Sequence, residues 1–423
     1  MNSGTPLHRA WLLVFSILLV ASTPAAAQAG QLDPTFGTGG IVTTDFGNIF
    51  QSTNTATATA VTIQSDGKIV VCGGVPASNG FATTAVVRYN IDGSLDNAFG
   101  NAGIAVTPNQ LNTPSSIALQ SDGKIVVAGA FNQITVIRYN SNGQLDSTFG
   151  TNGVVTTGFL GGDNNKTSGV VLQPDGKILV AGAKTLLRLL TNGQIDPNFG
   201  SGNGAKVAGY DPTALALLPN GKMLVASALI SSGFQNPGFV TRYNPDGSLD
   251  PSFGINGQLS VPGPANAMVL LDAGRFAGEF LIGGDLTSSV TGPVLGFAVS
   301  GYQAVGVVDA RFGTHGGVVT PIPNSPAIAT SGLGVQSSGD IVTLGTASSN
   351  YTSYVFALAR YTPAGRLDAT FGSEGIVTTS FPKTNQVIAN GLAIQSDDKI
   401  VAVGNYEAGQ DDTGFKLARY LGH

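Results

Sequence analysis

The sequence is poor in the residues that carry most enzyme chemistry. Its 423 residues hold one cysteine, one tryptophan and three histidines, and only 11% are charged. One cysteine excludes an internal disulfide, and its setting, Ile69-Val70-Val71-Cys72-Gly73, is that of a β-strand with a buried, inert thiol. Of the histidines, His8 lies near the start, which leaves His315 and His423, too few for a histidine-based zinc site. Lys and Arg number 20 against 25 Asp and Glu, for a formal charge of −5, so the basic footprint of a nucleic-acid binder is missing. No stretch beyond the N-terminus is long and apolar enough to span a bilayer, and no local nucleophile elbow or spaced triad pattern is present. Asp-x-Asn-Gly segments lack the twelve-residue spacing and terminal Glu of a calcium loop.

At the start, His8 and Arg9 precede an apolar run, Trp11 to Val20, and then Ala25-Ala26-Ala27-Gln28. This order reads as a secretory signal over residues 1–27, cleaved there or after Ala29. The expectation is a secreted or periplasmic protein whose residues 28–423 form one domain.

What the chain has in quantity is a repeated phrase. Leu-Asp-x-x-Phe-Gly or a close variant runs Leu32–Gly37, Leu95–Gly100, Leu145–Gly150, Ile195–Gly200, Leu249–Gly254, Val308–Gly313 and Leu367–Gly372. The closing glycines are 63, 50, 50, 54, 59 and 59 residues apart, the length of a small β-sheet module. Between Ser115 and Thr157 the module reads as four strands, Ile117–Gln120, Ile125–Gly129, Thr135–Asn140 and Gly153–Thr157. Asp122-Gly123 and Asn142-Gly143 mark two of the reversals, because glycine takes the positive φ that tight turns require. The lysine after the first turn, as in Asp66-Gly67-Lys68, reads as a solvated charge at a hairpin tip.

Four antiparallel strands at this spacing fit a propeller blade, a sandwich or a solenoid rung. The ends of the chain favour a closed ring: the last module stops at His423 after three strands, and Gly40–Thr44 stands near the start with no strands before it. Joined, they give an all-β, seven-bladed β-propeller of four-stranded blades, closed by the N-terminal strand. The blades fall at 57–107, 112–157, 166–208, 211–261, 264–320, 326–379, and 385–423 plus 40–44.

The phrase itself reads as a joint between blades. Leu and Phe supply apolar area, with Phe36, Phe99, Phe149, Phe199, Phe253, Phe312 and Phe371 at equivalent places. The acids Asp33, Asp96, Asp146, Asp196, Asp250, Asp309 and Asp368 either accept backbone N–H bonds or pair with a third-strand arginine. That arginine recurs as Arg88, Arg138, Arg188, Arg242, Arg360 and Arg419, which points to an interblade ionic joint with the pairing left open. Leu189 replaces the usual Tyr, and in the fifth module Ser300-Gly301-Tyr302 replaces Arg-Tyr and Asp272-Ala273-Gly274-Arg275 the compact turn.

Leu119–Gly129 and Arg138–Gly150 carry phrases by which the chain resembles the delta-60 repeat family of exported bacterial proteins, with a weaker similarity to NHL-type propellers. The first resemblance implies a β-propeller and no transferable catalytic residues; the second implies protein or ligand recognition.

Any site is expected on the face that carries the second-to-third and blade-to-blade connections, where the sequence varies most. Its candidates are Asp45, Asp163, Lys166, Asp285, Tyr351, Tyr354, Tyr406, Glu407, Asp411 and Asp412, carboxylates and exposed aromatics suited to a glycan, a peptide or a cation. No cofactor and no metal-ligand set is identified, although acidic loops are compatible with a bound cation. The leading functional expectation is a noncatalytic recognition scaffold for an extracellular or envelope glycan or protein. A propeller hydrolase or lyase with carboxylates from different blades is the alternative, and a purely structural protein the third.

Overall fold

The computed structural model describes residues 28–46, 56–76, 82–107, 114–131, 133–160, 167–202, 204–207, 211–228, 237–271, 278–287, 294–382, 386–406 and 414–423. They form seven four-stranded antiparallel sheets in a closed β-propeller. β1 is Ile41–Asp45, and the first blade is β2 Thr57–Ile63, β3 Ile69–Pro76, β4 Ala82–Tyr89 and β5 Ile104–Thr107. The second is β6 Pro114–Leu119, β7 Ile125–Phe131, β8 Gln133–Tyr139 and β9 Val154–Leu160. The third is β10 Thr167–Leu172, β11 Ile178–Gly182, β12 Thr185–Leu189 and the two-residue β13 Ala205–Lys206. The fourth is β14 Asp211–Leu217, β15 Met223–Ala228, β16 Gly238–Tyr243 and β17 Gln258–Val261. The fifth is β18 Ala267–Leu271, β19 Glu279–Thr287, β20 Val294–Tyr302 and β21 Gly317–Thr320. The sixth is β22 Ala327–Val335, β23 Ile341–Ser348, β24 Tyr354–Tyr361 and β25 Ile376–Thr379. The seventh is β26 Val387–Ile394, β27 Ile400–Tyr406 and β28 Gly414–Tyr420.

The seventh sheet is completed by β1, paired with β28 from Ile41↔Ala418 to Asp45↔Gly414. The termini also share one turn. Gly30 N–H donates to the Leu421 carbonyl, and Leu421 N–H to that of Gln31. The same two bonds join Gly93 to Asn90 and Asn90 to Ser94 inside a continuous chain.

The first strand of each sheet packs against the first strands on either side and so faces the axis. The middle strands β3, β11, β15 and β23 are buried throughout. Being covered on both faces, they read as continuous apolar runs without alternation. The core is accordingly divided among the joints. One of its clusters takes Val70, Cys72 and Val86 from the first blade and Ile125, Val127 and Tyr139 from the second, around Phe99. Burial pushes the Cys72 thiol up to about 12, so it stays protonated and unreactive at neutral pH.

Candidate functional site

The repeated phrase builds the joints, but with different wiring from the expectation. Each arginine pairs within its own blade, with the Asp eight residues on. Nε to Oδ2 is 2.7 Å for Arg88–Asp96, 2.8 Å for Arg138–Asp146, Arg188–Asp196 and Arg360–Asp368, and 2.6 Å for Arg242–Asp250. Arg419 meets Asp33 at 2.9 Å across the termini. The interblade bond is made by Nη1, which donates to a turn carbonyl of the following blade: Ser141, Thr191, Pro245, Ala304, Gly422 and Ile91 for Arg88, Arg138, Arg188, Arg242, Arg360 and Arg419. The two expected roles of the Asp coexist, because the other oxygen, Oδ1, accepts a backbone N–H two residues on, from Thr35 for Asp33 and from Thr148 for Asp146.

Each guanidinium lies over a phenylalanine ring, 4.4 to 4.8 Å from its centroid, as for Arg138 on Phe149 and Arg360 on Phe371. The rings are fully buried, and the turn glycine of the next blade sits on each: a Cβ at Gly143 would lie 3.0 Å from the Phe99 ring. The aliphatic residue of the phrase plugs only some of the joints: Leu32, Leu95, Leu145 and Ile195 are half-buried against the joint cores, whereas Leu249, Val308 and Leu367 are exposed. Lys124 stays at its hairpin tip beside the exposed Asp122, as expected, but four other first-turn lysines reach further. Lys68 and Lys222 reach the repeat carboxylates at 3.0 Å and 2.7 Å, and Lys177 and Lys399 reach theirs at 3.3 Å and 3.5 Å.

A second interblade bond carries no obvious signature in the sequence. In four blades the buried tyrosine that follows the arginine reaches back to a threonine at the end of the preceding blade's fourth strand, and in a fifth Tyr243 donates instead to the Lys206 carbonyl at 3.0 Å. Tyr89 meets Thr44 at 2.6 Å, Tyr361 meets Thr320 and Tyr420 meets Thr379 at 2.8 Å, and Tyr139 meets Thr107. Where Leu189 replaces tyrosine, the buried Thr157 hydroxyl has no partner among the described residues.

The strand order puts the strand ends that flank the variable connections on one face. Of the ten candidates there, Asp163, Lys166, Glu407, Asp411 and Asp412 lie outside the described residues. Asp45 is exposed at the end of β1. Tyr406 is buried at 6% exposure and not the exposed aromatic expected, because as the last residue of β27 it pairs with Val387 inside the sheet. Asp285 is tied into a blade joint: Thr330 N–H donates to it at 2.6 Å and Asn266 at 3.1 Å. Burial raises its pKa above the usual carboxylate range, with these donors acting against the rise.

Tyr351 and Tyr354 come together on the β23–β24 connection. Asn350 accepts N–H bonds from Thr352 at 3.0 Å and Ser353 at 2.7 Å, and Gln386 donates to the Thr352 carbonyl at 3.0 Å. The Tyr354 hydroxyl donates to the Tyr351 carbonyl at 2.9 Å. Tyr351 sits at φ 61° with 60% of its surface exposed. Left-handed backbone is uncommon for a bulky residue, so this loop holds an aromatic outward at a conformational cost.

The inner strands add polar groups that the sequence reading missed. Bulges near the start of six of them leave Thr59, Ser115, Ser168, Thr213, Ser331 and Asn390 out of register, all half-buried. They are small and polar at one repeated position, the only hint that the sequence offered. Among the described residues no group of three His, Cys, Asp or Glu is placed to hold a metal ion, and no helix is long and apolar enough to cross a membrane.

Five segments, 64–99, 120–149, 173–199, 218–253 and 336–371, match the family described as a domain of unknown function (DUF5122) β-propeller. No curated protein matches the chain. In shape it is similar to the WD40 β-propeller domain of Doa1, at 11% identity and TM-score 0.51, over 94% of this chain and 98% of that one. The WD40 repeats of RRP9 align at 12% identity and TM-score 0.50, over 93% and 99%. Raptor of Chaetomium thermophilum aligns at 10% identity and TM-score 0.54, over 88% of this chain and 28% of that one. Likeness at such identity is a likeness of fold.

Two expectations are corrected by these findings. The similarity runs to propellers such as those of Doa1, RRP9 and Raptor, and not to a delta-60 repeat family of exported bacterial proteins. The expectation of a secreted or periplasmic protein falls with it, and the leader read at 1–27 lies outside the described residues.

Proposed function

We propose that the protein is a noncatalytic recognition scaffold, a closed ring that presents its variable-loop face to a protein or glycan partner. The observation that carries this reading is Tyr351, an exposed aromatic in left-handed backbone, fixed by Asn350, Gln386 and Tyr354. A loop backbone fixed before contact loses little entropy on binding, which suits an exposed aromatic to the role of an interface anchor.

Protein and glycan arrays probed with the wild type and with Tyr351→Ala test the reading. A ligand held by the wild type and at least about tenfold more weakly by the variant supports it. An array without ligands, together with turnover of a small substrate, refutes it.

A further inference from the structure

The joint between the fifth and sixth blades follows the common plan with its central group removed. Where other blades carry the arginine, β20 has Gly301, while Asp309, Phe312 and the turn at Pro363 remain in the places of Asp96, Phe99 and Ser141. A recess of about 340 Å³ lies there, walled by Leu281, Tyr302, Phe312 and Ile341 and lined at its polar side by Glu279 and Asp309.

Charge has changed along with shape. Joints built on Asp33, Asp96, Asp196 and Asp250 set an arginine and a lysine against one carboxylate. Here Glu279 stands in the lysine's place, and the cation is Arg311, two residues after Asp309. Its Nε lies 2.7 Å from Asp309 Oδ1, and its Nη2 lies 3.0 Å from Asp309 Oδ2 and 2.6 Å from Glu279 Oε1, with the side chain 55% exposed. Two carboxylates therefore share one guanidinium at the edge of an apolar recess.

We propose that this recess binds a guanidinium group brought by a ligand, either an arginine side chain of a partner or a free guanidino compound. The apolar walls suit a methylene stem, the Phe312 ring suits a planar cation, and the carboxylates accept its N–H edges. A compact ammonium ion, strongly hydrated and without a planar face, fits less well. The site lies on the short-turn face and is independent of the recognition reading at Tyr351. An internal arginine is not simply restored, because a Cβ at Gly301 would meet the Phe312 Cβ at 2.8 Å.

Isothermal titration of the full chain at low salt with methylguanidinium, methylammonium and an arginine-containing tripeptide tests the proposal. Methylguanidinium is expected to bind at least about tenfold more tightly than methylammonium. Glu279→Lys, which installs the side chain of the other joints, weakens binding by about tenfold or more, and the isosteric Glu279→Gln weakens it with the fold undisturbed. Tighter binding of the tripeptide assigns the site to an arginine of a partner, and equal binding to a free guanidino compound; both support the proposal. Absence of methylguanidinium binding, equal affinity for the two cations, or indifference to both Glu279 variants overturns it.

Discussion

Thr44 and Thr157 are chemically the same residue at the same place in two blades, with opposite consequences. The first meets Tyr89 at 2.6 Å; for the second the equivalent of Tyr89 is Leu189, and its buried hydroxyl has no partner among the described residues. A buried hydroxyl left unpaired costs about 1–3 kcal/mol. Thr157→Val is therefore expected to stabilise the protein by about 1 kcal/mol, whereas Thr44→Val, which orphans the Tyr89 hydroxyl, costs about 1–2 kcal/mol. Urea midpoints of the two variants moving in the same direction would contradict the assignment.

Among the elements, the turns are where the repeat is most exacting. Gly143 sits at φ 87°, and a Cβ there would lie 2.8 Å from Gly100 N and 3.0 Å from the Phe99 ring. Gly143→Ala combines left-handed strain with a clash against a neighbouring blade, and a loss of at least about 2 kcal/mol in a urea titration is expected. Blades, turns and ring closure were legible in the sequence because each rests on local chemistry: Asp-Gly and Asn-Gly at the reversals, apolar runs in the covered strands, and a lone strand near the start to match a three-strand module at the end. The partners of the arginines were not legible, since a bond between Arg88 and Ser141 spans 53 residues and leaves no mark at either end. Tyr406 was misread as exposed for a related reason: a tyrosine at a strand's end looks alike whether it faces solvent or a neighbouring sheet. Tyr351 was a candidate by residue type, but its backbone conformation became visible only in the fold.

Over the whole molecule the joints act as a ring of carboxylates titrating together. Burial alone would raise the pKa of Asp33, Asp96, Asp146, Asp196, Asp250 and Asp368. Their hydrogen bonds and facing arginines and lysines outweigh it and hold all six below the usual range. A depressed folded-state pKa gives stability that is complete above the unfolded value of about 3.9 and is lost as pH falls through the folded one. The urea midpoint is thus expected to drop steeply below about pH 4, and Asp146→Asn to make that drop shallower at a lower starting stability. An acid limb unchanged in slope would show that the joints do not govern acid unfolding.

The pairing of β1 with β28 has a kinetic side. Ile41 and Ala418, directly opposite one another in the seventh sheet, are far apart in the sequence, so their contact has nearly the largest sequence separation the chain allows. During synthesis six blades can form while β1, made first, waits for β26 to β28, and until then the first and the sixth blade present a bare flank. Ring closure is then the late, entropically costly step of folding, and the interval before it is when this protein is most open to aggregation and proteolysis.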